Sequence, residues 1–405
     1  MKNIHLILGL VWSIIASNFN AQSQVITTNL VAKMDVIPTF SLWDGNKTLL
    51  MGYTKFIGSK IDLPSPILEY YEGDSVNLNM RNFSQSAPHT IHLHGLDVNQ
   101  ENDGVPHLSF EIPHDSTGTY SFVAPHPGTY LYHCHVVSPL HVQAGMYGLL
   151  IVRPADKSKT TWSGGYAYDK EYAWLASEID TFWHQYQRIH DLSAGTTPIL
   201  DYKPQYFLLN GKSENQLESE SITSSINKTV FLRLANIGNY GNTFVFPSAT
   251  KTRIISSDGR PLPSIDFSDT LTILPGERYE VLLSSEVLLN DSISVSYFNL
   301  NTQIVENIQS IPITITQVNS ISTIESTGMK IIPNPASSAF RITFNASMPD
   351  DSEITVYNSS GQKVYARIIS DQTSLNINTL SWGRGLYFIT LNSGGQFTHQ
   401  KVMLK

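Results

Sequence analysis

Short apolar runs separated by turn residues recur along most of this chain. In residues 75–80 (SVNLNM) and 118–123 (GTYSFV), apolar and polar side chains alternate with a period of two, which is typical of a half-buried β-strand. Similar runs follow one another from residue 25 to about residue 154. Regularly spaced short strands indicate a β-sandwich or barrel.

The same pattern returns after a polar stretch of small residues at 157–165. Strands of a second β domain are predicted at residues 171–176, 205–209, 229–236 and 271–280. Helical periodicity is rare, and residues 177–189 give its best example. The predicted fold class is therefore all-β. The predicted segments after the N-terminal 21 residues are a domain at 22–156, a second domain at 165–318, a linker at 319–328 and a third unit at 329–405.

The N-terminus has the pattern of an export signal. Lys2 precedes an apolar run at residues 4–15, and small and polar residues follow up to residue 21. The apolar run is too short for a transmembrane helix, which needs roughly 20 apolar residues, and no second candidate follows it. We therefore predict a signal peptide at residues 1–21 and a soluble, exported chain.

Charge and cysteine content narrow the classes of function. The 405 residues carry 26 basic and 34 acidic side chains, a formal net charge of −8, and the basic residues form no run. Such a surface does not attract nucleic acid, so no nucleic-acid partner is expected. Because Cys134 is the sole cysteine of an exported chain, its thiol is free, paired with another chain or bound to metal.

The neighbours of Cys134 favour a metal. Side chains with imidazole, thiolate or thioether groups are concentrated between residues 89 and 146. They are His89, His92, His94, His133, Cys134, His135, His141 and Met146. A thiolate with two imidazoles and a weak axial thioether is the ligand set of a blue copper centre, so copper is the expected cofactor.

Alternation along a strand sorts these ligands into two groups. Cys134 faces the opposite way from its neighbours His133 and His135. The predicted type 1 mononuclear copper centre consists of His89, Cys134, His141 and Met146. The pairs His92/His94 and His133/His135 remain for a second copper centre. The peptide bonds that flank Cys134 would then connect the two centres. Of the other histidines, His107, His114 and His126 are predicted to lie at the surface, and His184 and His190 at the surface or in loops.

Residues of roughly 60–318 resemble the first two cupredoxin domains of the multicopper oxidases. The motifs that carry the resemblance are HLHGL at 92–96, DGVP at 103–106, GTYLYH at 128–133, IISSDGRPL at 254–262 and LPGERY at 274–279. The resemblance implies two Greek-key β-sandwich or barrel domains. It also implies a laccase-like enzyme that oxidises a reducing substrate one electron at a time and reduces dioxygen to water. An acidic residue at the DG motif assists proton delivery in that family, which implies this role for Asp103; a simple turn is the alternative.

The chain departs from the long, three-domain members of that family in two respects. Their cysteine lies in the last domain, whereas here it lies in the first, as in short two-domain oxidases and reductases. Their trinuclear copper cluster takes four His-x-His pairs, and this chain supplies two. A type 2/type 3 centre would therefore be completed by another subunit. We expect a homo-oligomer in which two first domains face each other across a two-fold axis.

The tail resembles the type IX secretion sorting domain of certain Gram-negative bacteria. Its motifs are IIPNPA at 331–336, ITVYNSSGQKV at 354–364, GRGLY at 383–387 and KVMLK at 401–405. This implies a small C-terminal β-sandwich that engages the type IX secretion machinery. The protein would pass through the periplasm and be secreted or held at the cell surface. From the residues alone, the alternative is a β-sandwich that binds carbohydrate or packs on its neighbours.

Two other functions remain open at this stage. A copper nitrite reductase also has a blue centre in its first domain, but that family lacks a histidine directly after the cysteine, where this chain has His135. A surface blue-copper protein that binds copper or carries electrons without catalysis would need only the mononuclear centre. The reductant also stays open among phenols, metal ions such as Cu(I), Fe(II) or Mn(II), and a partner redox protein.

Overall fold

The computed structural model describes residues 25–84, 87–193, 201–317, 329–350, 352–393 and 396–405. The predicted signal peptide at residues 1–21 and the predicted linker at 319–328 lie outside these ranges. Strands dominate the described chain, which confirms the all-β fold class. Within the same ranges, no helix is both long enough and apolar enough to cross a membrane. Two compact units are present, Met1–Gln317 and Val318–Lys405.

The first unit begins with a sandwich of two sheets. Its strands are β1 (Val25–Met34), β2 (Phe40–Ser41), β3 (Lys47–Thr48), β4 (Met51–Thr54), β5 (Leu68–Tyr71), β6 (Ser75–Asn82), β7 (His92–His94), β8 (Thr117–Val123), β9 (Gly128–His133) and β10 (Tyr147–Arg153). One sheet has the strand order β4-β1-β6-β8 and the other has β5-β10-β9-β7. The parallel pairs β1/β6 and β5/β10 join strands that are distant in sequence, whereas β9 pairs antiparallel with β7 and β10.

The predicted alternation is visible in β6. Val76, Leu78 and Met80 are buried between the sheets, and the intervening residues are more exposed. Cys134 and Met146 belong to the same apolar core. The predicted sulfur ligands therefore lie in the hydrophobic interior, where few water molecules can compete for a bound metal.

A second sandwich follows in the same unit. Its strands are β11 (Lys170–Ile179), β12 (Tyr206–Leu209), β13 (Ile222–Ser225), β14 (Val230–Asn236), β15 (Gly241–Val245), β16 (Lys251–Ser257), β17 (Arg260–Asp266), β18 (Thr270–Ile273), β19 (Arg278–Ser284), β20 (Leu289–Phe298) and β21 (Val305–Thr316). The sheet orders are β12-β11-β14-β19-β16-β17 and β13-β21-β20-β15-β18. Trp174, Phe244 and Tyr297 are buried in the core between the sheets.

Helices are short in the described chain. They are α1 (Ser138–Gln143) and α2 (Tyr186–Ser193), and 3-10 turns lie at Gln100–Asn102 and Glu214–Glu220. The helix predicted at residues 177–189 is wrong over its first part, because β11 continues to Ile179 and the helix begins at Tyr186. Pairing of β11 with both β12 and β14 overrides the weak local periodicity.

Apolar side chains of both sandwiches meet in one interface core. Leu131, Tyr147 and Leu149 of the first sandwich pack with Leu175 and Leu208 of the second. The Tyr147 hydroxyl also donates a hydrogen bond to Ser177 Oγ at 2.9 Å. Burial of apolar surface from both sides holds β9 and β10, which flank Cys134, against the second sandwich.

Buried ion pairs cross the same interface. Arg233 is fully buried, and its Nε lies 2.6 Å from Glu171 Oε1 while its Nη1 lies 2.7 Å from Glu280 Oε1. Glu171 also pairs with Arg153 of the first sandwich at 2.8 Å. The Arg233 guanidinium further donates to Thr129 Oγ1 at 2.9 Å. Each charge has a partner of opposite sign, so the intact network stabilises this arrangement of the two sandwiches. Loss of one partner would leave a buried charge uncompensated.

Removal of the guanidinium tests this network. The Arg233→Ala variant leaves the buried Glu280 carboxylate without its cation, and we expect a loss of about 3–5 kcal/mol in the free energy of unfolding. Denaturant unfolding followed by tryptophan fluorescence measures the loss. Lys251→Ala, which removes an exposed ion pair with Glu286, is the control and should leave the midpoint unchanged. Equal midpoints for the two variants would contradict a stabilising role for the network.

The second unit is a smaller β-sandwich. Its strands are β22 (Lys330–Ile332), β23 (Ala339–Thr343), β24 (Ser352–Asn358), β25 (Lys363–Ile369), β26 (Ser374–Asn378), β27 (Gly385–Ser393) and β28 (Gln396–Leu404). The sheet orders are β22-β23-β26 and β25-β24-β27-β28. Phe340, Ile354 and Ile389 are buried in its core. The predicted small C-terminal β-sandwich is confirmed.

Candidate metal centres

Cys134 follows β9 directly, and its sulfur faces the interior of the first sandwich. Cys134 Sγ lies 3.2 Å from His141 Nδ1 and 3.6 Å from His89 Nδ1. These three side chains are fully buried, and their ligand atoms lie within 4.8 Å of one another. A thiol and two imidazoles thus converge on one point in an apolar environment.

The buried setting controls protonation of this pocket. Burial raises the pKa of the Cys134 thiol to about 11 and lowers that of His141 to about 4. Burial, and then the neighbouring His141, lower the pKa of His89 well below its ordinary value. The imidazoles are therefore neutral and offer lone pairs, while the thiolate requires a nearby cation to form. A soft thiolate beside imidazoles fits copper.

Hydrogen bonds fix which nitrogen of His89 faces the sulfur. Its Nε2 lies 2.6 Å from Ser84 Oγ, and the Ser84 hydroxyl donates to Asn82 Oδ1 at 2.7 Å. Because that hydroxyl proton is committed to Asn82, Ser84 Oγ accepts from His89 Nε2–H. Nδ1 is left unprotonated on the side of Cys134.

A tight turn brings the remaining predicted ligands to Cys134. His141 lies in the last turn of α1, and the Met146 amide donates to its carbonyl at 2.9 Å. The Cys134 amide donates in turn to the Met146 carbonyl at 3.0 Å. Gly145 has φ of +116°, and a Cβ there would lie 2.6 Å from the Met51 carbonyl oxygen, so a larger residue would displace the turn. Met146 is fully buried in the same core as Cys134.

Four imidazoles form a second group on the opposite side of the cysteine. The group, called the four-histidine cluster below, consists of His92, His94, His133 and His135. The His92 ring centroid lies 5.1 Å from that of His133 and 5.2 Å from that of His135. His94 Nδ1 lies 3.2 Å from His133 Nε2. Ligand atoms of His92, His94 and His133 lie within 4.8 Å of one another. The strand itself ends at His133, yet the next two side chains continue its alternation.

Burial also keeps two histidines of this cluster, His133 and His94, neutral. Burial lowers the pKa of His133 to about 3 and, with nearby Arg278, lowers that of His94 to about 4. His133 Nδ1 donates to the Cys134 carbonyl at 3.0 Å, which leaves Nε2 as its lone-pair nitrogen. Neutral nitrogens that face one another can bind a cation without first losing a proton.

Asp103 lies beside the cluster. Its backbone oxygen accepts from His92 Nδ1 at 2.7 Å, and its Oδ1 lies 3.3 Å from the same nitrogen. About a quarter of the side chain is exposed (25%), so the carboxylate contacts both solvent and a cluster histidine. The following Gly104 passes so close to the Ile91 carbonyl that a Cβ would lie 2.0 Å from its oxygen. A turn at Gly104 is therefore compatible with a role of Asp103 in proton delivery.

A buried acidic residue of this region, Glu178, was missed from sequence. A cavity of about 300 Å³ between the sandwiches is lined by His94 and His133 on one side and by Glu178 on the other. Glu178 is 3% exposed. The only available signal was an acidic residue inside the apolar strand 174–179, and sequence could not indicate what it faces.

The histidines predicted at the surface or in loops differ in exposure. His107 and His114 are exposed and His126 is half-buried, where its Nε2 lies 3.2 Å from Asp97 Oδ2. His184 lies in the turn before α2, which agrees with the prediction of a surface or loop position, but its side chain is only 2% exposed. Its Nδ1 donates to the Leu49 carbonyl at 2.6 Å and thereby joins the two sandwiches.

Comparison with known proteins supports the sequence-based resemblance. Residues 44–157 match the family described as multicopper oxidase, and residues 330–405 match the secretion system C-terminal sorting domain. Copper resistance protein A of Escherichia coli is 37% identical over 117 residues, which cover 29% of this chain and 18% of that protein. The iron transport multicopper oxidase FET3 of Candida albicans is 27% identical over 334 residues, 78% of this chain and 46% of that protein. The chain thus spans less than half the length of these curated relatives.

Solved structures give the same picture. The blue copper oxidase from Nitrosomonas europaea is 26% identical, with a TM-score of 0.58 over 73% of this chain and 86% of that chain. A copper nitrite reductase from Nitrosomonas europaea, 18% identical over 73% of this chain and 95% of that chain, has a TM-score of 0.54 and shares the fold alone. The cupredoxin fold is confirmed, and copper is the cofactor that the match implies. Residues 44–157 therefore match the multicopper oxidase family, and residues 330–405 match the secretion system C-terminal sorting domain.

Proposed function

We propose that the chain is an exported, laccase-like copper oxidase that takes single electrons from a reducing substrate and reduces dioxygen to water. The observation that carries this proposal is the position of Cys134, whose sulfur faces two buried imidazoles while both of its sequence neighbours belong to the four-histidine cluster. Four one-electron oxidations and four protons balance the conversion of one dioxygen molecule to two water molecules.

The proposed ligands form two sites with different roles. His89, Cys134, His141 and Met146 would hold the type 1 copper, and the four-histidine cluster would contribute to the type 2/type 3 centre. Copper at these sites supplies one-electron redox chemistry and the reduction of dioxygen. The protein positions the ligands, excludes water from the sulfur and provides a covalent connection from Cys134 to His133 and His135.

Asp103 is proposed to hold a proton for the oxygen-reducing site, since its carboxylate lies between solvent and His92. In the Asp103→Asn variant, oxygen consumption at saturating reductant should fall by about 10²-fold or more, within the range of general acid–base contributions. The blue absorption should be unchanged, because the residue does not contact Cys134. Stopped-flow absorbance and an oxygen electrode measure the two quantities. An oxygen-consumption rate equal to that of the unmodified protein would exclude the proton role.

The four-histidine cluster also supports an oligomer. Each chain has two His-x-His pairs, and residues 165–318 contain none. We propose that a second copy brings its own pairs to the cluster across a two-fold axis, because such an interface places identical groups opposite each other. Mass determination of the copper-loaded protein, together with copper per chain, tests this. A monomer that holds a complete oxygen-reducing site would contradict it.

The sorting domain indicates export and a secreted or cell-surface location. We propose that the route passes through the periplasm and that the type IX secretion machinery recognises residues 330–405. The proposed reductants are small molecules or metal ions. The named relatives include proteins of copper resistance and iron transport, so Cu(I) and Fe(II) belong in the assay beside phenols.

Oxygen uptake by one copper-loaded sample tests the proposed activity. A blue protein that consumes oxygen in the presence of a phenol, Cu(I) or Fe(II) would support an oxidase. A blue protein that exchanges electrons but consumes no oxygen with any of these reductants would contradict it and leave an electron carrier. Copper quantification on the same sample shows whether both sites were filled when the rate was measured.

A further inference from the structure

Glu178 is a buried acid in the cleft between the two sandwiches. Its Oε2 accepts from the Asn239 amide at 2.9 Å and from the Tyr202 hydroxyl at 3.4 Å, and its Oε1 accepts from the Tyr240 amide at 3.2 Å. Its hydrogen-bond donors are neutral, in contrast to Glu171 on the same strand, which pairs with arginine. A buried carboxyl held by neutral donors can exchange a proton without breaking an ion pair.

Residues of two neighbouring segments position Glu178. A Cβ at Gly238 would lie 2.2 Å from Glu178 Oε1, so a larger residue there would displace the carboxyl group from its present position. Gln143 Nε2 donates to the Glu178 carbonyl at 2.9 Å and fixes the strand from the side of α1. These contacts come from both sandwiches and hold Glu178 at their junction.

Two cavities lie on either side of Asn239, whose amide donates to Glu178. One cavity, of about 300 Å³, is lined by Glu178 together with His94 and His133 and is called the inner cavity because it borders the four-histidine cluster. The outer cavity, of about 460 Å³, is lined by Tyr202 and by Asp201 and Lys203, whose side chains are 90% and 80% exposed. Pro139 and Asn239 line both cavities. The Tyr202 hydroxyl, which donates to Glu178, therefore connects the carboxyl with the solvent side.

We propose that Glu178 is a proton-relay residue that passes protons from the outer cavity, past Tyr202, to the inner cavity beside His94 and His133. This proposal rests on the proposed oxidase function, since the reduction of one dioxygen to two waters consumes four protons. Electrons come from the one-electron reductant, and each proton that Glu178 gives to the inner cavity is replaced from solvent. Glu178 is unchanged after each turnover.

The protonation equilibrium of Glu178 suits this task. Burial raises the pKa of its carboxyl to about 7, where both forms are populated at neutral pH. The titratable groups around it are Tyr147, Tyr202, Tyr240, Tyr297, Asp180 and His184, with His94 and His133 across the cavity. Burial raises the pKa values of the tyrosines and lowers those of the histidines, away from neutrality.

The variant Glu178→Gln keeps the shape and removes the exchangeable proton. We expect anaerobic reduction of the blue centre to keep its rate, because the electrons enter at Cys134. Reoxidation of the fully reduced protein by oxygen should slow by about tenfold or more. A slowing of only about tenfold is expected if water molecules deliver part of the protons without Glu178. In the unmodified protein this rate should fall as pH rises through about 7, when the carboxyl loses its proton, and the inflection should vanish in the variant.

Infrared spectroscopy gives a readout that does not depend on turnover. In the copper-free protein, a protonated-carboxyl band should titrate with a midpoint near the pKa of about 7 and should be missing from Glu178→Gln. Tyr202→Phe removes only the outer hydroxyl and should slow reoxidation in the same direction while keeping the band. Glu218→Gln, an exposed acid of the second sandwich, is the matched control and should behave as the unmodified protein.

The outcomes distinguish a failure of this proposal from a failure of the proposed oxidase function. Unchanged reoxidation and an unchanged pH profile in Glu178→Gln, with normal oxygen consumption by the unmodified protein, would overturn the relay alone. No oxygen consumption by the unmodified protein would overturn both. If Glu178→Gln does not fold, Tyr202→Phe decides: a slower, still pH-dependent reoxidation supports the relay, and an unchanged rate overturns it.

Discussion

Replacement of Cys134 by serine is expected to abolish the blue absorption and the oxidation of substrate. Serine keeps the size of the side chain but removes the thiolate, which is the donor responsible for the intense colour of a blue copper centre. Cys134 Sγ lies 3.2 Å from His141 Nδ1 and 3.6 Å from His89 Nδ1. Because Cys134 is the sole cysteine of the chain, no other thiol can take its place. Visible absorbance of copper-loaded protein measures the effect.

Copper content and thermal unfolding separate loss of the centre from loss of the fold. The Cys134→Ser side chain remains in the apolar core, so the sandwich should still unfold cooperatively. Copper at the four-histidine cluster should be retained, because none of its imidazoles is altered. A blue Cys134→Ser protein would contradict the assignment of the mononuclear centre.

Replacement of His94 by alanine is expected to reduce oxygen consumption and to leave the blue absorption in place. His94 lies on the far side from Cys134, with its Nδ1 at 3.2 Å from His133 Nε2. Loss of a direct ligand should cost more than the roughly 10–100-fold that is typical of residues behind the ligands. Oxygen consumption should therefore fall by more than about 100-fold, while the blue absorption and its anaerobic bleaching by reductant persist.

A histidine outside both sites provides the control for this variant. His107 is exposed and belongs to neither group of ligand atoms, so His107→Ala should keep both colour and oxygen consumption. Loss of colour in His94→Ala would mean that the two faces were assigned in reverse. Unchanged oxygen consumption in His94→Ala would remove the four-histidine cluster from the reaction.

The side-chain directions around Cys134 could be predicted from sequence because they depend on the two-residue period of a β-strand. Alternation places Cys134 on one side and His133 and His135 on the other, and the structure has this arrangement even though β9 ends at His133. The same period predicted the strands of both sandwiches. A side chain's direction within a few residues is set by backbone geometry, which sequence patterns reflect.

The parts that sequence did not predict depend on contacts between distant segments. Glu178 reaches the inner cavity only because β11 packs beside the loop at Gly238, sixty residues later. Arg233 is fully buried because Glu171 and Glu280 lie on the strands next to its own. The burial of His184 was missed for the same reason, since its partner Leu49 belongs to the other sandwich. No local pattern encodes these pairings.

Anomalous diffraction at the copper absorption edge tests the two-site arrangement. Crystals of the copper-loaded protein should have one peak within bonding distance of Cys134 Sγ, His89 Nδ1 and His141 Nδ1. At least one further peak should lie among the imidazoles of His92, His94 and His133. A single peak at the histidines, with none at the sulfur of Cys134, would contradict the account.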